Sequence, residues 1–93
     1  MIFFLILNLC LVKASIDKQF IVLFGQNLRK IRESKKISMQ SLADTINVEY
    51  SQISRIERGL INTSIGIAHS ISQALEIDIK ELFNFQVEKK SNN

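Results

Sequence analysis

The chain has 93 residues, no proline, one cysteine and one histidine; 46% of its residues are hydrophobic, 23% are charged, and the formal net charge is +3. This composition excludes a disordered tail, a disulfide framework and a cysteine-rich metal site, and it suits one compact domain with a modest core. Three glycines supply no phosphate-cradling loop, and the lone His69 reads as a half-exposed helix residue. No catalytic residue, metal or cofactor is therefore expected.

The charge is unevenly spread. From Lys13 to Arg58, nine Lys or Arg face five acids, whereas from Gly59 onward three Lys face four acids. A basic half of this kind suits a polyanionic partner.

The first stretch, Met1 to Val12 (MIFFLILNLCLV), is apolar. No Lys or Arg precedes it as in a secretory signal, and it falls short of the ~20 residues that span a bilayer. Leu7-Asn8-Leu9 lacks the small residues expected before a lipid-modified Cys10. Three readings stay open: a dimerisation or core-covering helix, a membrane-surface anchor, or translated sequence upstream of the true start. The first and third are preferred to the anchor. Residues 1–16 are accordingly set apart as an apolar extension, with a domain over 17–85 and a flexible polar tail over 86–93.

A long helix is predicted from Asp17 to about Lys35, capped by Asp17 or Ser15. Phe20, Phe24, Leu28 and Ile31 recur at helical spacing on one face, and Ile21 to Leu23 widen the stripe. Arg29, Lys30, Arg32, Lys35 and Lys36 make the end of this helix basic, either as a solvated face or as an attraction for phosphates.

Ser38 is a good N-cap for the next helix, in which Leu42, Ala43 and Ile46 share a face. Asn47 interrupts that pattern and tolerates a left-handed turn. A second short stripe, Ile53 and Ile56, is closed by Gly59, a favoured residue just beyond a helix end. Two short helices joined by a tight turn are the anatomy of a helix-turn-helix, whose second helix enters the DNA major groove. At 100° per residue, Ser51, Arg55 and Arg58 fall opposite the two isoleucines, with Tyr50 and Ser54 flanking. That outward face carries guanidinium and hydroxyl groups and no carboxylate. Arg can pair with guanine O6 and N7, a contact worth about 1–3 kcal/mol of base discrimination.

After Gly59, Asn62 or Thr63 is expected to cap a helix from about Ser64 to Glu76, with Ile65, Ala68, Ile71, Ala74 and Leu75 inward. Asp78, with Glu81 three residues later, marks a capping-box-like start for a last short helix holding Ile79, Leu82 and Phe83. No strand-like alternation of useful length and no repeat is present. The fold class is therefore all-α.

Four stretches in unbroken order make the pattern specific: Phe24-Gly25-Gln26-Asn27-Leu28-Arg29-Lys30-Ile31-Arg32, Ser38-Met39-Gln40-Ser41-Leu42-Ala43, Ile53-Ser54-Arg55-Ile56-Glu57-Arg58-Gly59 and Ala74-Leu75-Glu76-Ile77-Asp78-Ile79-Lys80-Glu81-Leu82-Phe83. Over about residues 20 to 85 they resemble the phage-repressor-like (Cro/CI, or XRE) helix-turn-helix family. The resemblance implies a compact five-helix, lambda-repressor-like domain bound as a homodimer to a two-fold symmetric operator in double-stranded DNA. It also implies roles. Tyr50, Ser51 and Arg55 would read bases, and Ser54, flanking them on the outward face, is grouped with them. Gln52, Arg58, Asn62 and Thr63 would contact phosphates, to which the basic end of the first helix adds Lys35 and Lys36. Arg32 and Glu57 would form a structural ion pair that orients the reading helix. Met39 stands where the family usually has a phosphate-contacting Gln, Asn47 replaces the usual turn glycine, and Thr63 stands where Pro is common.

The expected function is sequence-specific DNA binding by a cytoplasmic, homodimeric transcriptional regulator of repressor or restriction-modification controller type, without a small-molecule ligand. The alternative is an antitoxin or protein-interaction module that docks a partner through the apolar N-terminal segment.

Overall fold

Five α-helices account for the regular structure of the described residues, which contain no strand: α1 (Ile2–Ser34), α2 (Met39–Ile46), α3 (Tyr50–Glu57), α4 (Ile65–Leu75) and α5 (Ile79–Leu82). The computed structural model describes residues 2–87, with side chains from Lys18 onward. The side chains of the apolar extension, Cys10 included, and most of the predicted polar tail lie outside that range.

The first helix departs from expectation. It runs unbroken from Ile2 instead of starting at a Ser15 or Asp17 cap. The physical reason lies in Lys13-Ala14-Ser15-Ile16-Asp17, which contains neither Gly nor Pro to stop a helix that the apolar run has begun. Among the described residues no helix is long and apolar enough to cross a membrane.

Helix starts follow the local chemistry. Ser38 Oγ accepts from Ser41 N at 3.0 Å, Ser64 Oγ from Ile67 N at 3.1 Å, and Asp78 Oδ1 from Lys80 N at 3.1 Å. The cap of α4 is thus Ser64, not Asn62 or Thr63; with Ser64 in extended backbone (φ −76°, ψ 159°) its hydroxyl reaches the orphan amide of the first turn. At α5 Asp78 caps through the Lys80 amide and not through that of Glu81, and Glu81 makes no return bond, so the expected capping box is a simple N-cap.

Helix ends share one device. The residue after each of the first four helices' last turn takes the left-handed conformation: Lys36 (φ 59°), Asn47 (φ 62°), Gly59 (φ 72°) and Glu76 (φ 57°). In each case the next amide reaches back five residues: Ile37 N to Arg32 O at 3.2 Å, Val48 N to Ala43 O at 3.0 Å, Leu60 N to Arg55 O at 2.9 Å, and Ile77 N to Ser72 O at 3.0 Å. This six-to-one bond satisfies a terminal carbonyl and reverses the chain sharply, so short helices fold back on one another. Only Gly59 takes up that conformation without a Cβ penalty.

Around these turns Phe24, Leu28, Leu42, Ala43, Ile53, Ile56, Ala68, Ile71, Leu75 and Leu82 close one core. Each fully buried Leu or Ile contributes about 1.5–3 kcal/mol of transfer free energy. Phe20, expected in that stripe, is instead 38% exposed and sits over Phe83 and Phe85 at ring-centroid distances of 6.0 and 5.0 Å. There it forms one wall of a surface groove that also takes in Ile61, Ile65 and Ala68, instead of closing into the core.

Two close contacts set α1 against α3 and α5. A Cβ at Gly25 would stand 2.2 Å from Ile56 O, so α1 and α3 cross there at a separation only glycine allows. Asn27 Nδ2 donates to Glu81 O and Leu82 O, both at 2.8 Å, and so ties α1 to the C-terminal end of α5.

Candidate nucleic-acid interface

The disposition of α3 follows from its sequence. Ile53 and Ile56 are buried, while Tyr50, Ser51, Arg55 and Arg58 are exposed and Gln52 and Ser54 are half-buried. The apolar pair pins one side of the helix to the core, and the opposite side is left as a polar, basic surface.

Below that surface lies the ion pair that holds it. Arg32 Nε and Nη2 donate to Glu57 Oε2 and Oε1 at 2.5 and 3.0 Å, and Arg32 Nη1 donates to Ile37 O at 2.7 Å. Both side chains are buried, at 9% and 4% exposure. The bidentate geometry fixes direction as well as distance, which a Lys at position 32 could not do. The Glu57 hydrogen bond, against the opposing effect of burial, raises the Arg32 guanidinium above its ordinary pKa. One residue on the end of α1 thereby ties together the last turn of α3 and the loop before α2.

The remaining site residues fall into separate places. Tyr50 and Gln52 share an open polar cleft with Gln40, Asp44, Asn47 and Glu49 at the helix-turn-helix corner. Arg58 folds back along α3, where its Nε donates to Ser54 O at 3.3 Å and Ser54 Oγ at 3.2 Å. Arg55 is exposed and makes no hydrogen bond or ion pair among the described residues. Lys35 borders a different cleft with Ile37, Ala74, Leu75 and Glu76 at the end of α4, and exposed Lys36 follows it in the left-handed turn.

Asn62 and Thr63 line an apolar groove beside Phe20 and Ile65, not the polar corner. The Thr63 Oγ1 is buried without a hydrogen-bond partner among the described residues.

The expected surface without carboxylates holds for the exposed part of α3 itself, and Asp44 and Glu49 come from outside α3 to share the corner cleft with Tyr50 and Gln52. Glu49 precedes α3 and makes no side-chain capping bond, so its carboxylate remains at the surface. Gln40 Nε2 donates to Asp44 Oδ1 at 2.9 Å, an i,i+4 pair that the spacing alone signals. These three polar neighbours of the corner were missed in the sequence, since attention to α3 leaves out what α2 and the turn bring beside it.

A helix of two turns, a left-handed corner at Asn47 and a second helix of two turns, held at a fixed angle by buried isoleucines and an ion pair, define a helix-turn-helix unit. A helix-turn-helix family model matches residues 28–82. The chain therefore belongs to the XRE-type helix-turn-helix family of DNA-binding transcription regulators. It is 42% identical over 65 residues to control protein C.BamHI of Bacillus amyloliquefaciens, a match covering 69% of this chain and 80% of that one. It is 37% identical over 68 residues to control protein C.MunI of a Mycoplasma species, covering 72% and 90%. Among solved structures, the restriction-modification controller protein C.AhdI from Aeromonas hydrophila superposes with a TM-score of 0.66 at 36% identity, covering 68% of this chain and 96% of that one.

Proposed function

We propose that this protein is a cytoplasmic, homodimeric regulator of restriction-modification controller type that binds a two-fold symmetric operator in double-stranded DNA. The observation that carries this reading is the state of the three arginines around α3. Arg32 is consumed by Glu57 and Arg58 leans on Ser54, whereas Arg55 stands exposed and uncommitted among the described residues. An uncommitted guanidinium loses no internal bond when it pairs with guanine O6 and N7.

Arg55, Ser51, Ser54 and Tyr50 read base edges in this scheme. Gln52, Arg58, Asn62, Lys35 and Lys36 contribute phosphate contacts, which add affinity without sequence preference. Two copies place their α3 helices in successive major grooves about 34–36 Å apart. The carboxylates of Asp44 and Glu49 border the N-terminal end of α3, where they favour a base amino group such as cytosine N4. The likeness to C.BamHI, C.MunI and C.AhdI supports a controller over other members of the family.

Selection of bound duplexes from a random DNA pool tests the reading. An enriched inverted repeat is expected; a pool that remains unenriched at low ionic strength contradicts it.

A further inference from the structure

Three helical hydroxyls spend their protons on their own backbone. Ser34 Oγ donates to Ile31 O at 2.7 Å, Thr45 Oγ1 to Ser41 O at 2.8 Å and Ser72 Oγ to His69 O at 2.7 Å. Ser54 on α3 differs. Its hydroxyl donates to no acceptor among the described residues, and its oxygen accepts from Arg58 Nε at 3.2 Å. The same Nε reaches Ser54 O at 3.3 Å, so the guanidinium is held one turn back along the helix. At 100° per residue Ser54 lies about 60° from Ser51, on the arc that also carries Arg55 and Arg58.

We infer that the Ser54–Arg58 pair makes this part of α3 a donor-only reader, which selects a base pair by its major-groove acceptors (purine N7, guanine O6 or thymine O4) and rejects a base amino group. This rests on the DNA-reading scheme above and assigns the chemistry of the base edge that Ser54 meets. An unaided serine reads either kind of edge, since its hydroxyl holds one proton and two lone pairs. The bond from Arg58 removes that ambiguity. A charged N–H takes one lone pair and turns the proton away from Arg58, and the polarised hydroxyl becomes a better donor and a poorer acceptor. The Nη1 and Nη2 groups of Arg58, and the whole guanidinium of Arg55, make no bond to a protein acceptor among the described residues, and they too can only donate. A cytosine N4 or adenine N6 amino group brought against this surface meets donors alone. The N-terminal end of α3 has the opposite character, because Asp44 and Glu49 offer acceptors there. The two ends of one reading helix thus call for opposite base edges.

The test measures binding of the full chain to a duplex enriched from a random pool, and to its single-base-pair variants, for wild type, Ser54→Ala, Ser54→Thr and Arg58→Met. Positions 54 and 58 lie outside the buried core, and Ala and Met are good helix formers, so melting midpoints are expected to stay near wild type. Wild type and Ser54→Thr, which keeps the hydroxyl, are expected to discriminate at one base pair of each half-site where Ser54→Ala does not. The loss is expected to be about 5- to 150-fold over two half-sites. At that pair the acceptors are then deleted one at a time with base analogues, 7-deazaguanine for N7 among them. One deletion is expected to weaken wild type by that factor and leave Ser54→Ala unmoved, while deletion of the pair's amino group changes neither. Arg58→Met is expected to weaken every duplex and to narrow the discrimination at that pair, since the released oxygen again accepts from an amino group. Dependence on the amino group, discrimination that survives Arg58→Met in full, or a Ser54→Ala variant that weakens all duplexes alike would overturn the proposal and leave base reading by Arg55 standing. A pool that yields no enriched duplex would overturn the reading scheme, and this assignment with it.

Discussion

Glu57→Gln is the most informative single perturbation of the fold, because it removes a charge and almost no volume. In the native domain two of the three hydrogen bonds given by the Arg32 guanidinium go to the carboxylate, and only the third goes to Ile37 O. A Gln at 57 offers one acceptor and one NH₂ group, so one donor of the guanidinium is left facing another donor. The cation is also left without its counter-charge in a site where both partners are less than one-tenth exposed. Breaking a buried pair on one side costs about 3–5 kcal/mol. Against a total stability of about 5–14 kcal/mol for 93 residues, that is a large share. At roughly 4–8 °C per kcal/mol for a domain of this size, the melting midpoint should fall by at least ~12 °C, read by circular dichroism.

The paired substitution Arg32→Met with Glu57→Leu removes both charges and fills similar space, and it should restore most of the loss, as apolar replacements of buried ion pairs do. The pH dependence has a definite sign. With its folded pKa raised, Arg32 contributes stability that is fully present below its unfolded value and is lost only as pH rises through the folded one. The contribution is therefore flat across the working range of a protein. A Glu57→Gln penalty below about 1 kcal/mol, or a double variant no better than the single, would mean that water screens the pair and would refute the reasoning.

Two further substitutions probe the backbone. Gly25→Ala should cost at least the upper end of the ~1–3 kcal/mol typical of overpacking, since the added Cβ meets the backbone oxygen of Ile56 at 2.2 Å and cannot be relieved by a side-chain rotation; a urea midpoint within error of wild type would show that α1 and α3 can part freely. Glu76→Gly should stabilise by about 0.5–1.5 kcal/mol, because it relieves a left-handed non-glycine residue and removes a negative charge from the C-terminal end of α4, less the entropy of a freer unfolded chain; a lower urea midpoint would contradict that account.

Much of the domain was legible because short helices leave compact marks. Ser38 and Asp78 announce helix starts by their chemistry, and Asn47 and Gly59 announce ends by the backbone they tolerate. The buried faces of α2, α3 and α4 follow from spacing alone. What was not legible divides by cause. Lys36 and Glu76 close helices in a conformation their side chains disfavour, so no residue preference points to them; the six-to-one bonds of the neighbouring amides hold them there. Gly25 looks like a weak point inside a helix until α3 is laid across it. Asn27 gives no sign that it will reach 54 residues along the chain to the end of α5. Position along α1 was misjudged because a helix start was sought at a capping residue, while the absence of any breaker before Asp17 let the helix run through.

The candidate interface was legible on α3 and less so around it. The exposure of Arg55 follows from its angle on the helix. Sequence order puts Thr63 beside the reading helix and gives no sign that its hydroxyl oxygen is buried. Asp44, Glu49 and Gln40 come to the corner from outside α3, and only the fold brings them together.

The central claim, that Arg55 reads a base, is tested most directly by measuring Arg55→Ala against wild type on an enriched duplex and on a random one across a salt series. Loss of one bidentate pair in each of the two half-sites, about 2–6 kcal/mol in all, should weaken the enriched duplex by about 30-fold or more while the random duplex changes little and the salt slope stays the same. Equal weakening on both duplexes, with a shallower salt slope, would show that Arg55 holds only phosphate and would contradict the account.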